Sequence, residues 1–123
     1  MSAKNESGRY GEAYAAKYLN DHGYRILQRN YKCKIAEIDI VALDGDTLCF
    51  IEVKTRANKL HGYGAEFVNR AKIKKLTLGA RSYIAAHNAA NDIRFDVVEV
   101  YGRVMQSGFA VSEINVIKNA FDV

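Results

Sequence analysis

The sequence predicts an α/β fold, a mixed β-sheet flanked by helices, built as one domain over residues 1–123. Three observations lead there. The apolar period changes along the chain: a helical stripe, three strand-like runs, a second helical stripe, then another strand-like run. The second stripe falls between strand runs, as a crossover helix does. No proline, repeat or low-complexity tract interrupts the 123 residues, and a chain of that length can bury its own core.

Residues 1–6 read as a polar tail. Ser7 to about His22 is the first helix, with Ser7 as its cap and Gly23 just past its end. Tyr24–Tyr31 is the first strand. Glu37–Leu43 and Thr47–Lys54 form a hairpin around Asp44-Gly45-Asp46. A two-residue Gly45-Asp46 turn pairs Asp44 with Thr47, and a turn on Asp44-Gly45 pairs Asp39 with Phe50. Ala57–Gly64 is a glycine-bearing loop. Glu66–His87 is the second helix, with Ile73, Leu76, Ala80, Tyr83 and Ile84 on one stripe. Ile93–Tyr101 is a fourth strand. A further strand or short helix is expected between Phe109 and Phe121.

No run of about 18 apolar residues is present, so no membrane-spanning helix is expected. The first eight residues have no apolar signal core. Cys33 and Cys49 show no metal-site spacing, alone or with His22, His61 and His87. The expectation is a cytoplasmic chain with two free thiols, no zinc and no membrane partner. Net charge is +4. Arg70, Lys72, Lys74, Lys75 and Arg81 stand against the single acid Glu66 in the second helix, a surplus equal to that of the whole chain. A basic stripe of this kind suits a phosphate backbone, and it also suits a solvated helix face.

The misplaced charges are more specific. Asp39 and the Glu52-Val53-Lys54 triplet lie inside apolar strand runs. Strand alternation puts Glu37, Asp39, Val41 and Leu43 on one face, and Leu48, Phe50, Glu52 and Lys54 on one face of the next strand. Either even-length turn brings Asp39, Glu52 and Lys54 to the same face. Opposed carboxylates about 5 Å apart repel. A divalent cation removes that cost, and Mg²⁺ or Mn²⁺ suits two carboxylates, the Val53 backbone carbonyl, waters and phosphate oxygens. A salt bridge from Lys54 to one acid is the alternative. Glu12 shares the apolar stripe of Ala15, Ala16 and Leu19, which aims a third acid at the sheet. Glu37 supplies a ligand or an outer acceptor.

Other residues have simpler readings. Tyr10, Tyr14 and Tyr18 recur every four residues and suit packing on the sheet. Arg94 and Asp96 suit a structural ion pair. Arg56 suits a phosphate clamp or a surface position. Lys72, Lys74 and Lys75 precede or interrupt the apolar stripe of the second helix and suit either a solvated face or a phosphate backbone.

Asp39, then twelve residues, then Glu52-Val53-Lys54-Thr55-Arg56 resembles the PD-(D/E)xK nuclease superfamily. Glu12 and the basic helix are similar to its Holliday-junction-resolvase-like branch. Over nearly the whole chain the sequence resembles the uncharacterised bacterial YraN-type family. The fragments are Gly11-Glu12 with Ala16 and Tyr18-Leu19, Gly23-Tyr24, Glu37-Ile38-Asp39, the Glu52–Arg56 run, Lys72, Arg94-Phe95-Asp96 and Asn119-Ala120-Phe121. Ile38 stands where the superfamily has proline, and Ala36 where the YraN-type family has glycine. The resemblance implies a restriction-endonuclease-like core, with Glu12, Asp39 and Glu52 near a metal and Lys54 as catalytic lysine. It implies a metal-dependent endonuclease acting on nucleic acid, DNA before RNA and branched structures among the substrates. Arg56, Arg70, Lys72, Lys74 and Lys75 would contact the backbone. A homodimer would supply two sites for symmetric cutting. The alternatives are a nucleic-acid-binding module that kept the fold without turnover, and a basic protein-interaction domain.

Overall fold

The computed structural model describes residues 5–57 and 70–121. Its elements are α1 (Glu6–Asp21), β1 (Tyr24–Lys32), β2 (Glu37–Asp44), β3 (Thr47–Arg56), α2 (Arg70–His87), β4 (Ile93–Met105) and β5 (Gly108–Ile117). The strands form one sheet in the order β1-β2-β3-β4-β5. β3 and β4 run parallel, and the other neighbours are antiparallel. This is the expected mixed α/β sheet. A parallel pair needs a long connection, and the segment containing α2 supplies it. The expected 57–64 loop, apart from Ala57, lies outside the described residues, as do His61 and positions 66–69 of the expected second helix.

The first helix starts earlier than expected. Asn5, not Ser7, is its N-cap, and its side chain accepts the Gly8 N–H at 2.7 Å. Asparagine caps as well as serine, and Glu6 then falls in the first turn, where the helix dipole favours an acid. At the other end Gly23 has φ 92°, the left-handed stop that glycine adopts without strain.

The sheet separates two cores. Ala15, Ala16 and Leu19 of α1 pack with Ile40, Ala42, Cys49, Ile51, Val98 and Val100. Leu76, Ala80 and Tyr83 of α2 pack with Ile38, Val41, Leu48, Phe50 and Phe95. Tyr10 stacks on Phe109 of β5, and Tyr14 donates its hydroxyl to the Phe109 carbonyl. Tyr18 stacks instead on His22.

Two glycines set the helix heights. A Cβ at Gly11 would run into Thr55 Oγ1, so glycine lets α1 settle over the end of β3. A Cβ at Gly79 would press on Ile38 and Ala36 at 3.1–3.2 Å, so α2 lies hard against the start of β2. Gly11→Ala is expected to destabilise the fold by about 1–3 kcal/mol, since an added methyl group in a filled contact forces backbone movement. Urea unfolding reads this. An unchanged midpoint would mean that Thr55 turns aside freely.

The C-terminus is pinned to the opposite end of the sheet. Asn119 (φ 52°) donates its N–H to Asp96 Oδ1 at 2.9 Å, and the Ala120 N–H donates to the Phe95 carbonyl at 2.8 Å. Phe121 stacks on Phe95. The expected Arg94–Asp96 pair is present and bidentate, with both contacts at 2.8 Å. Arg94 also reaches Asp44, which Lys118 contacts at 3.1 Å.

Candidate active site

The site grows from a fault in β2. Pairing with β3 runs from Asp44↔Thr47 to Ile40↔Ile51, where it ends although both strands continue. The Asp44↔Thr47 pair is the one expected of a Gly45-Asp46 turn, and Gly45 has φ 61°. Strict alternation would put Ile38 and Ile40 on one face. Instead Ile38 reaches the α2 core and Ile40 the α1 core. The break falls at Asp39. On β1 the register passes from Arg29↔Ile40 to Tyr31↔Ile38, and between them Asn30 is held at φ 55°, a backbone region asparagine tolerates better than most residues.

Asp39 Oδ2 accepts the Val53 N–H at 2.8 Å, a backbone donor that continued pairing would leave to β2. The acid therefore lies at the parting of the two strands, in contact with Glu52.

A cleft of about 340 Å³ opens there. Glu12, Glu37, Asp39, Glu52, Val53, Lys54, Thr55 and Lys72 line it, together with Asn5, Ser7 and Gly8 from the start of α1. Glu52 is 4% exposed and Glu12 2%. Burial pushes the Glu52 carboxyl up to about 7, helped by a hydrogen bond with Asp39 and its charge, and Lys72 partly offsets this. Lys72 Nζ sits 2.8 Å from Glu52 Oε2, yet that oxygen has no well-aligned hydrogen bond. The contact is a close ion pair. Burial lowers the Lys72 pKa, but Glu52, Asp39 and Glu37 outweigh it, and the net shift is upward. Two acids thus share one ammonium.

The chain belongs to the UPF0102 family. Its family model, described as "Uncharacterised protein family UPF0102", matches residues 11–100. UPF0102 is the YraN-type family of the sequence resemblance. A UPF0102 protein of Caldicellulosiruptor saccharolyticus is 44% identical over 119 residues, spanning 96% of this chain and 98% of its own. One from Clostridium kluyveri is 41% identical over 123 residues, spanning 99% and 98%. One from Chlorobium chlorochromatii is 44% identical over 120 residues, spanning 94% and 91%.

In this UPF0102 chain the expected residues divide into two groups. Asp39, Glu52, the Val53 backbone, Lys54, Glu37, Glu12 and Lys72 meet at one cleft. Among the described residues no three His, Cys, Asp or Glu side chains are placed to share an ion. Glu12 instead faces Arg29 of β1 at 3.6 Å, a buried acid drawing a half-exposed guanidinium over the cleft wall. Lys54 is partly buried and forms no ion pair with the described residues. Arg56 faces Glu99 of β4 at 3.6 Å rather than standing clear as a phosphate clamp. Arg70 and Lys74 are exposed on α2 and line neither this cleft nor the one beside it, whereas Lys75 lines the second.

Sequence reasoning missed Glu99, which is fully buried, lies beside Lys54 in the β3–β4 register, and accepts a hydrogen bond from Asn115. The signal was available: an acid inside the apolar run Val97-Val98-Glu99-Val100 violates the same burial rule that picked out Asp39 and Glu52. Arg29 gave no comparable signal, because its role depends on a contact with a helix earlier in the chain. No described helix is long and apolar enough to cross a membrane.

The donor set suits a hard cation in a limited way. Two buried carboxyls that repel, one oxygen without an aligned donor, and a nearby backbone carbonyl are what Mg²⁺ or Mn²⁺ accepts when waters and phosphate complete its shell.

Proposed function

We propose that this chain is a metal-dependent nuclease that hydrolyses phosphodiester bonds in nucleic acid, DNA foremost. The observation that carries this reading is the buried Asp39–Glu52 pair at the parting of β2 and β3, with Lys54 and Lys72 on the same cleft. Asp39, Glu52 and the Val53 carbonyl would hold Mg²⁺ or Mn²⁺, with Glu12 and Glu37 at its margin. Bound there, the ion would supply charge to the scissile phosphate and acidify a water.

The chain's own residues do the rest. The Val53 N–H fixes one Asp39 oxygen at the cleft, beside Glu52. Lys54 presents an ammonium to the developing charge on phosphate oxygen or to the attacking water. Lys72 is the counter-charge of the acid pair; relieved of that role, it is free to take a phosphate oxygen. Cutting both strands of a duplex or branched substrate needs two such sites, so a second copy of the chain belongs to this reading.

The Lys72–Glu52 ion pair favours a second reading, a nucleic-acid-binding module without turnover, because it balances an acid without a cation. Calorimetric titration with Mn²⁺ and cleavage of labelled single-stranded, duplex and branched DNA separate the two. Under the nuclease reading, Lys54→Ala lowers cleavage by about 10²–10³-fold and leaves Mn²⁺ binding intact. Full activity in that variant removes Lys54 from the chemistry. Metal binding without any cleavage favours the module.

A further inference from the structure

A second cleft, of about 490 Å³, adjoins the first, and Glu37 and Lys72 are walls of both. Its other walls are Lys32 at the end of β1, the loop from there to β2, and Lys75 of α2, so Lys32, Lys34, Lys72 and Lys75 line the same space with the single acid Glu37. The loop is not loosely attached. The Cys33 N–H donates to the Ala36 carbonyl at 3.0 Å, Ala36 packs under Gly79, and the Tyr31 hydroxyl meets Ser82 Oγ at 2.8 Å. These contacts hold the loop lysines beside those of α2. At the tip, between Lys34 and Ala36, Ile35 is 56% exposed.

We infer that this groove binds the strand leading into the acidic cleft, with the lysines on its phosphates and Ile35 against the face of an unpaired base. The inference rests on the nuclease reading and extends it to a substrate class: nucleic acid that is single-stranded at this point. Four ammonium groups around one concavity suit a chain of phosphates. An apolar side chain adds nothing to phosphate binding and costs water contact where it stands. Against a base it gains contact, as the apolar wedges of other nucleic-acid-binding proteins do. Bases inside an intact duplex expose only their edges in the grooves, so a base face is reached where pairing is absent.

Cys33 is a built-in probe, because it lines this groove and is partly exposed. Cys49 is buried, and burial pushes its thiol up to about 12, so it does not compete for alkylation. The test uses the whole chain with Ca²⁺ in place of Mg²⁺, a mixed-sequence single-stranded oligonucleotide, and the same sequence as duplex. Saturating single strand is expected to slow iodoacetamide modification of Cys33 several-fold, and duplex to slow it less. Lys34→Ala should reduce the slope of log affinity against log salt by about 0.7, the contribution of one phosphate contact on a single strand. Ile35→Ser should weaken single-strand binding and leave duplex binding unchanged.

The inference is overturned if Cys33 reacts at the same rate with and without saturating single strand. It is also overturned if duplex protects equally and Ile35→Ser has no effect. Should wild-type protein cleave DNA while Cys33 stays unprotected, the groove assignment fails and the nuclease reading stands. Should Cys33 be protected and both variants bind weakly while no cleavage occurs, the groove stands and turnover fails.

Discussion

Glu52→Gln is expected to make the metal-free protein more stable above pH 7 while removing cation binding and cleavage. Glu52 has its pKa raised from 4.5 to about 7, mainly by burial and then by Asp39. Below the ordinary carboxylate value it is protonated folded and unfolded alike, and contributes no pH dependence. As pH rises from there to about 7, the unfolded chain loses the proton first, so stability falls. Above about 7 the full cost is present. At about 1.4 kcal/mol per pKa unit the ceiling is about 3 kcal/mol, and because Asp39 and Lys72 share the titration an observed gain of about 1–2 kcal/mol is expected.

Urea unfolding in EDTA, run at pH 5.5 and pH 8, reads this directly. The wild-type midpoint should fall between the two and the variant's should change less. A variant less stable than wild type at pH 8 would show that the Lys72 ion pair outweighs burial and Asp39, and that the acid pair is structural. The two outcomes have opposite signs.

Arg94→Met is expected to destabilise the fold by about 3–5 kcal/mol, the usual cost of leaving a buried partner charge behind. Asp96 is fully buried and Arg94 grips both its oxygens at 2.8 Å. Arg94 also contacts Asp44 and the Tyr24 hydroxyl. Without it, Asp96 keeps the Asn119 N–H and the Tyr24 hydroxyl as donors among the described residues. Replacing both members, Arg94→Met with Asp96→Leu, should recover much of the loss, because no stranded carboxylate is left. Chemical denaturation of the two variants reads the difference. A single variant within error of wild type would mean that Arg94 does not hold Asp96 in the fold.

The hairpin register and the sheet faces of Phe50, Leu48 and Val41 were legible because local turn chemistry and alternation fix them together. The same alternation brings Asp39 to Glu52 and Lys54 at one cleft, but the positive φ at Asn30 and the early end of β2–β3 pairing are invisible from β2. The N-cap was read two residues late because Ser7 and Asn5 are both competent caps. β4 runs on to Met105, past the expected end at Tyr101, because its last turns of chain are exposed and carry no burial pattern. Lys72 could be chosen from the sequence as site-facing, but its partner could not. Glu52 lies twenty positions away, and only the packing of α2 on β2 brings them together.

The pairing of β3 with β4 has a consequence for synthesis. β3 holds nine register positions, Leu48 to Arg56, against β4, and that partner is made only after α2. Until β4 leaves the ribosome, β3 is a bare edge, with Phe50 and Ile51 in its middle and neither a proline nor a bulge along that length to blunt it. At about 5–20 residues per second this exposure lasts several seconds. The nascent hairpin is therefore the stage at which this chain presents its longest unpaired strand edge.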